Sequence, residues 1–254
     1  MELGLAGKVV LVPGASSAIG RATALAFADE KARIAVGYHT NREAAEETAT
    51  MARQRGGHAI VWPLDLGQPS SLQRAVEHAR RELGPINILI NNAVQWPSWP
   101  DPGERFETAP PQRFSSSVNA NLVGSYLLAR AVVADMRQLG WGRIVHVSTG
   151  LVEDGFPGGA AYLAAKAGLH GLTRVMSREL AAAGILTNIV MPGFTPADKQ
   201  LPPQLIDQAR QAAATRQVTH PDDVARMIVF LSSAANTNTT GEAIRTDGHF
   251  LSPS

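Results

Sequence analysis

The sequence predicts an α/β fold, a doubly wound three-layer sandwich forming one domain over residues 1–254. Three patterns predict it. Short, near-continuous aliphatic runs recur along the chain, as expected for strands of a parallel sheet covered on both faces. Amphipathic segments with helical spacing lie between most of them. Glycines follow the helical segments at Gly56-Gly57, Gly84, Gly140 and Gly184, where a left-handed terminal residue is wanted.

The elements follow in order. Strands are expected at 9–12, 33–36, 59–61, 86–90, 144–147, 186–190 and 243–245. Helices are expected at 19–29, 43–55, 70–83, 113–139, 160–183 and 221–232. Two segments are too rich in proline for regular structure: Trp96-Pro97-Ser98-Trp99-Pro100, and the stretch holding Pro192, Gly193, Pro196, Pro202 and Pro203. Both follow strands, at the carboxyl edge where open α/β sheets bind ligands. The loops near 94–112 and 192–215 are therefore expected to form the substrate wall. Trp96 and Trp99 read equally as an aromatic lid on an apolar substrate or as loop anchors.

Bulk properties narrow the function. The chain has no cysteine, which excludes disulfides, thiolate catalysis and cysteine-based metal sites. Histidines show no metal-ligand spacing, so no metal is expected. A formal charge of +1 gives no argument for nucleic acid or an anionic membrane. No apolar run reaches the roughly 20 residues that span a bilayer, and the first residues lack a signal-peptide pattern. A cytoplasmic protein acting on a small molecule is expected.

Two constellations carry chemistry. Pro13-Gly14-Ala15-Ser16-Ser17-Ala18-Ile19-Gly20 follows the first strand and opens the first helix, where free backbone N–H groups attract phosphate. Gly14 permits the tight turn and Gly20 a close helix–sheet contact. Tyr162 and Lys166 stand four apart on a predicted helix and share one face. A nearby ammonium is expected to lower the phenol's pKa and ready it to exchange a proton.

An ordered set of further motifs accompanies these. It comprises Asp65-Leu66, Asn91-Asn92-Ala93, Asn121-Leu122-Val123-Gly124, Pro192-Gly193, Pro221-Asp222-Asp223, Thr240-Gly241-Glu242 and Asp247-Gly248. With them the chain resembles the short-chain dehydrogenase/reductases over almost its whole length, specifically the compact kind typified by 3-oxoacyl-carrier-protein reductase. The resemblance implies a Rossmann-type sheet of seven parallel strands, a nicotinamide cofactor, and reduction of a ketone or oxidation of a secondary alcohol. It implies that Tyr162 is the general acid and that Lys166 lowers its pKa and holds the nicotinamide ribose. It further implies that Asn121 anchors a water behind Lys166. The carbonyl-orienting hydroxyl of the family lies 13 residues before the tyrosine, which gives Thr149, with Ser148 its immediate neighbour as the alternative.

Cofactor contacts implied by the resemblance are Gly14, Ser16, Ser17, Ile19, Gly20, Asp65, Leu66, Asn91, Ala93, Tyr162, Lys166, Pro192, Gly193 and Thr195. After the second strand, where an acid would select NAD, stand His39, Thr40, Asn41 and Arg42. All can donate to a phosphate, so NADP is expected over NAD. Pro13, Ala18, Val94 and His249 depart from the family pattern and put the strength of cofactor binding in question. They motivate an alternative, a dinucleotide-binding regulatory or scaffold protein. Epimerisation or dehydration with a retained nicotinamide is a third reading. The family implies a homo-oligomer, dimer or tetramer, formed by pairing the helices that carry Asn121 and Tyr162.

Overall fold

A computed structural model describes residues 2–16, 18–96, 98, 104–155, 157–196 and 201–249. Its strands are β1 (Val9–Pro13), β2 (Arg33–Tyr38), β3 (His58–Pro63), β4 (Ile88–Asn91), β5 (Gly142–Val147), β6 (Ile185–Pro192) and β7 (Ala243–Thr246). Among the described residues they form one seven-stranded sheet in the order β3-β2-β1-β4-β5-β6-β7, every pairing parallel. The helices are α1 (Ala18–Asp29), α2 (Arg42–Gln54), α3 (Pro69–Leu83), α4 (Pro111–Val118), α5 (Gly124–Leu139), α6 (Leu151–Asp154), α7 (Ala160–Leu180), α8 (Pro203–Ala212) and α9 (Pro221–Leu231).

Strand β1 shows why the sheet needs cover on both sides. Val10 and Val12 point into a core with α1, α2 and α9, while Val9 and Leu11 point into a second core with α3 and α5. All five of its residues are buried. Alternation along a strand sends neighbours to opposite faces, so a strand apolar at every position must be sandwiched. The seven-stranded doubly wound sheet agrees with the sequence expectation.

The expected helix over 113–139 is different in the structure. It starts at Pro111 and is interrupted by a π-helical turn, Asn119–Val123, between α4 and α5. Such turns collect at functional sites, and this one carries Asn121. Its position is fixed from two sides. A Cβ on Gly168 of α7 would lie 2.5 Å from Leu122, and one on Gly124 would lie 2.5 Å from the Leu66 carbonyl oxygen. Only glycine allows both approaches.

Chain order reverses between β1 and β4, the topological switch point at whose carboxyl ends a crevice opens. The loops from the two strands touch there. Asn92 Nδ2 donates to the carbonyls of Pro13 and Gly14, each at 3.2 Å.

Candidate active site

The nucleotide side of the crevice is built by omission of side chains. Gly14 has φ +73°, and a Cβ on it would sit 2.9 Å from the Ala93 backbone. A Cβ on Gly20 would collide with the Gly14 carbonyl oxygen and lie 2.6 Å from Asn92 Nδ2. These contacts bring the start of α1 against β1, with Ser16 and Ile19 half-buried on the turn. Ser17 lies outside the described residues. Ala18 adopts φ +36°, a left-handed conformation that costs an L-residue about 1–2 kcal/mol. The methyl that the sequence flagged thus sits on strained backbone.

The residues after β2, His39 to Arg42, are all exposed. Asn41 is the N-cap of α2, its Oδ1 accepting from Ala44 N at 3.0 Å. Arg42 Nε lies 3.5 Å from Glu46 and His39 Nε2 lies 3.6 Å from Asp65 Oδ2. Thr40 is exposed between them. Asp65 also accepts from Gly67 N and Gln68 Nε2, each at 2.9 Å. Its carboxylate is thus tied into its own turn, and Leu66 is buried beneath it against Gly124. Asn91, buried at the end of β4, donates to the Ser125 carbonyl and meets His146 Nδ1, both at 3.1 Å. Asn91 Oδ1 is buried with no partner. A crowded glycine turn, a helix start facing the switch point and an orphaned amide oxygen together fit a bound dinucleotide.

The proton side is built from polar side chains. Lys166 is buried, and its Nζ donates to the Val147 carbonyl at 2.7 Å. Its ammonium lies 5.9 Å from the centroid of the Tyr162 ring, on the shared face that spacing predicts. Burial pushes Lys166 down to about 8. Burial also pushes the Tyr162 phenol up, to about 12. This corrects the expectation that the neighbouring cation lowers the phenol: desolvation penalises both charged forms, and at this separation it outweighs the attraction. The phenol is held protonated at neutral pH, the form an acid needs.

Ser148 and Thr149 diverge at the end of β5. The Ser148 hydroxyl is buried and meets His170 Nε2 at 3.0 Å, turned into α7. Thr149 is half-buried and its Oγ1 accepts from Leu151 N at 3.3 Å, which leaves its own proton to donate.

Residues 14–250 match the family described as Enoyl-(Acyl carrier protein) reductase. The chain belongs to the short-chain dehydrogenase/reductases. It is 32% identical over 250 residues to the 3-oxoacyl-[acyl-carrier-protein] reductase FabG of Thermotoga maritima, covering 96% of this chain and 98% of that one. It is 30% identical over 244 residues to the acetoacetyl-CoA reductase of Shinella zoogloeoides, covering 95% and 97%. Among solved structures it superposes with TM-score 0.89 and 31% identity on LugOII, a promiscuous reductase that catalyses keto-reduction at C1 during lugdunomycin biosynthesis, covering 97% and 99% of the two chains.

Several features of this short-chain dehydrogenase/reductase were not legible in its sequence. Asn121 spends its carboxamide on the loop after β4: Oδ1 accepts from Gln95 N at 2.8 Å, and Nδ2 donates to Gln95 O at 2.9 Å and Ser117 Oγ at 3.2 Å. Its main-chain carbonyl accepts from Ser125 Oγ at 2.9 Å. His146 is fully buried with Nε2 unpartnered, and burial followed by the charges of Lys166 and His170 pushes it down to about 3. It is a neutral core group. The 192–195 loop packs on β7, with Gly193 N donating to Thr246 O at 3.2 Å and Thr195 Oγ1 to Gly193 O at 3.0 Å. Arg245 on β7 ties that side to α6, the helix that follows Thr149, bonding Asp247 at 2.7 Å and Glu153 at 2.6 Å. Glu153 lies 92 positions from Arg245, and no local signal joins them.

Proposed function

We propose that this chain is an NADP(H)-dependent ketoreductase in which Tyr162 protonates the alkoxide formed from a substrate ketone. The observation that carries the reading is the half-buried Tyr162 on the same helical face as the buried Lys166, whose ammonium lies 5.9 Å from the centroid of its ring. When bound, a reduced nicotinamide supplies the hydride; the protein supplies position and protons. The carbonyl oxygen lies between Tyr162 Oη and Thr149 Oγ1, both donating to it as negative charge develops, an effect worth about 3 kcal/mol per good donor. Tyr162 then gives up its proton, and the Lys166 ammonium stabilises the phenolate until a proton returns. Ser148, engaged by His170, stands behind Thr149 rather than beside the substrate.

A phenol kept protonated up to high pH favours reduction at neutral pH. Alcohol oxidation needs the phenolate, so its rate should climb with pH while reduction stays flat. His39, Arg42 and the N-cap of α2 at Asn41 offer donors to a ribose phosphate, which supports NADP over NAD. Asp65, Leu66, Asn91 and Ala93 would line the adenosine, and Pro192, Gly193 and Thr195 the nicotinamide. Among the described residues no group of histidine, aspartate or glutamate is arranged to hold a metal, and no helix is long and apolar enough to cross a membrane. We also propose a dimer or tetramer in the cytoplasm. Phe114, Val123, Tyr126 and Val175 leave exposed apolar side chains on α4, the π turn, α5 and α7 that suit pairing of these helices.

The direct test is NADPH oxidation with a ketone panel, with the alcohol quantified. Alcohol formed in step with NADPH consumed supports the reading, with NADPH preferred to NADH. Tight NADPH binding without turnover across a broad panel would instead favour the binding-protein reading, which the strained Ala18 motivates.

A further inference from the structure

We propose that Trp96 is the specificity-determining wall of the site and that the substrate is an uncharged, planar aromatic ketone. The proposal rests on the ketoreductase reading and names its substrate class.

Trp96 stacks on the Tyr162 ring, with centroids 4.9 Å apart and planes 28° from parallel. Yet the residue is 58% exposed. An indole buries up to about 250 Å² when used as packing. One left more than half in water beside the proton donor is a poor loop anchor and a good ligand surface.

The chain is also tied down on both sides of Trp96 in sequence. Asn121 clamps the N–H and the carbonyl of Gln95, the residue before it. Two residues on, Ser98 Oγ accepts from Arg113 Nε at 3.1 Å. Arg113 is itself fixed by Glu104, at 2.5 and 3.0 Å. A platform rigid before the ligand arrives loses little entropy when it is used.

A cavity of about 400 Å³ opens beside it, lined by Gln95, Trp96, Ser98, Arg113, Ser116 and Ser117 among others. That volume admits two or three fused rings. Its polar groups are hydroxyls and amides that suit ring oxygens. Arg113, the one charged residue among those lining the cavity, is neutralised by the bidentate Glu104 with both side chains largely buried. The wall therefore offers aromatic stacking and neutral hydrogen bonds. A phosphate-bearing thioester would find its strongest potential partner already committed.

The test compares 1-tetralone with its ring-saturated counterpart trans-1-decalone, matched in size. Dissociation constants are measured by calorimetry at saturating NADP⁺, so that binding is read without turnover. Wild type should bind the aromatic ketone about fivefold more tightly, the scale of one good ring–ring contact. Trp96→Ala should bring the ratio below about twofold, and Trp96→Phe should keep most of it. Equal binding of the two ketones by wild type, failure to bind either, or an unchanged ratio in Trp96→Ala overturns the proposal. An aromatic preference lost in Trp96→Ala, with no reduction of any ketone, would keep Trp96 as an aromatic-binding wall and sink the ketoreductase reading together with the naming of a substrate. Reduction of both ketones with no preference does the reverse.

Discussion

Where β1 meets α1, the chain closes up by leaving side chains out. Gly14 and Gly20 let backbone touch backbone, and Asn92 stitches the two loops of the switch point together. Where β5 meets α7, the chain does the opposite. It drives Lys166, Ser148 and His146 into the interior and gives each a partner, at Val147 O, His170 and Asn91. The first region is steric and tolerates no added atom. The second is electrostatic, and its properties follow from how far each group is removed from water. A substitution in one should change cofactor binding, and a substitution in the other should change proton transfer.

The sharpest way to probe the contrast is Lys166→Met. It removes the charge that stabilises the phenolate, so kcat should fall on the order of a hundredfold or more. It should also reveal the cost of burying the amine. The folded value of about 8 lies below the ordinary 10.5, so that cost is complete below pH 8 and disappears as pH rises towards 10.5. Chemical denaturation should find the variant more stable than wild type by about 3 kcal/mol at pH 7. That advantage should shrink steadily above pH 8; a constant gap across this window would show that the amine is not perturbed by the fold.

Asn121→Ala comes next. It unfastens both backbone groups of Gln95 and frees the loop carrying Trp96. We expect kcat/KM for ketones to drop about tenfold, mostly through KM, with NADPH affinity little changed. Equal losses in NADPH affinity would mean that the clamp serves the cofactor rather than the substrate.

The smallest effect belongs to the steric side. Ala18→Gly relieves backbone at φ +36°, against the greater chain entropy glycine brings to the unfolded state. The net gain should be within about 1 kcal/mol, with a few-fold tighter NADPH Kd as the turn relaxes. Weaker NADPH binding by the glycine variant would show that the alanine turn is already suited to phosphate.

The sheet was legible because burial on both faces leaves a direct mark: a strand such as 9–12 is aliphatic at every position. Tyr162 and Lys166 were legible because helical spacing alone puts them on one face. Three things were hidden. The π turn at Asn119–Val123 has no local signature, since it depends on Leu122 meeting Gly168 across the fold. The protonation of Tyr162 depends on burial, which spacing does not report, so charge proximity gave the wrong sign. The ties from Asn121 to Gln95 and from Arg245 to Glu153 join residues far apart in the chain. What a periodic pattern records was visible; what tertiary contact decides was not. Ser17 and Trp99 lie outside the described residues.

Tyr162 is the proposed proton donor beside a bound dinucleotide. Single-turnover oxidation of bound NADPH by a reducible ketone, in wild type and Tyr162→Phe, measures that step alone. The phenylalanine variant should bind NADPH within about threefold of wild type and transfer hydride about a thousandfold more slowly. A variant that keeps a tenth or more of the wild-type rate would contradict the assignment.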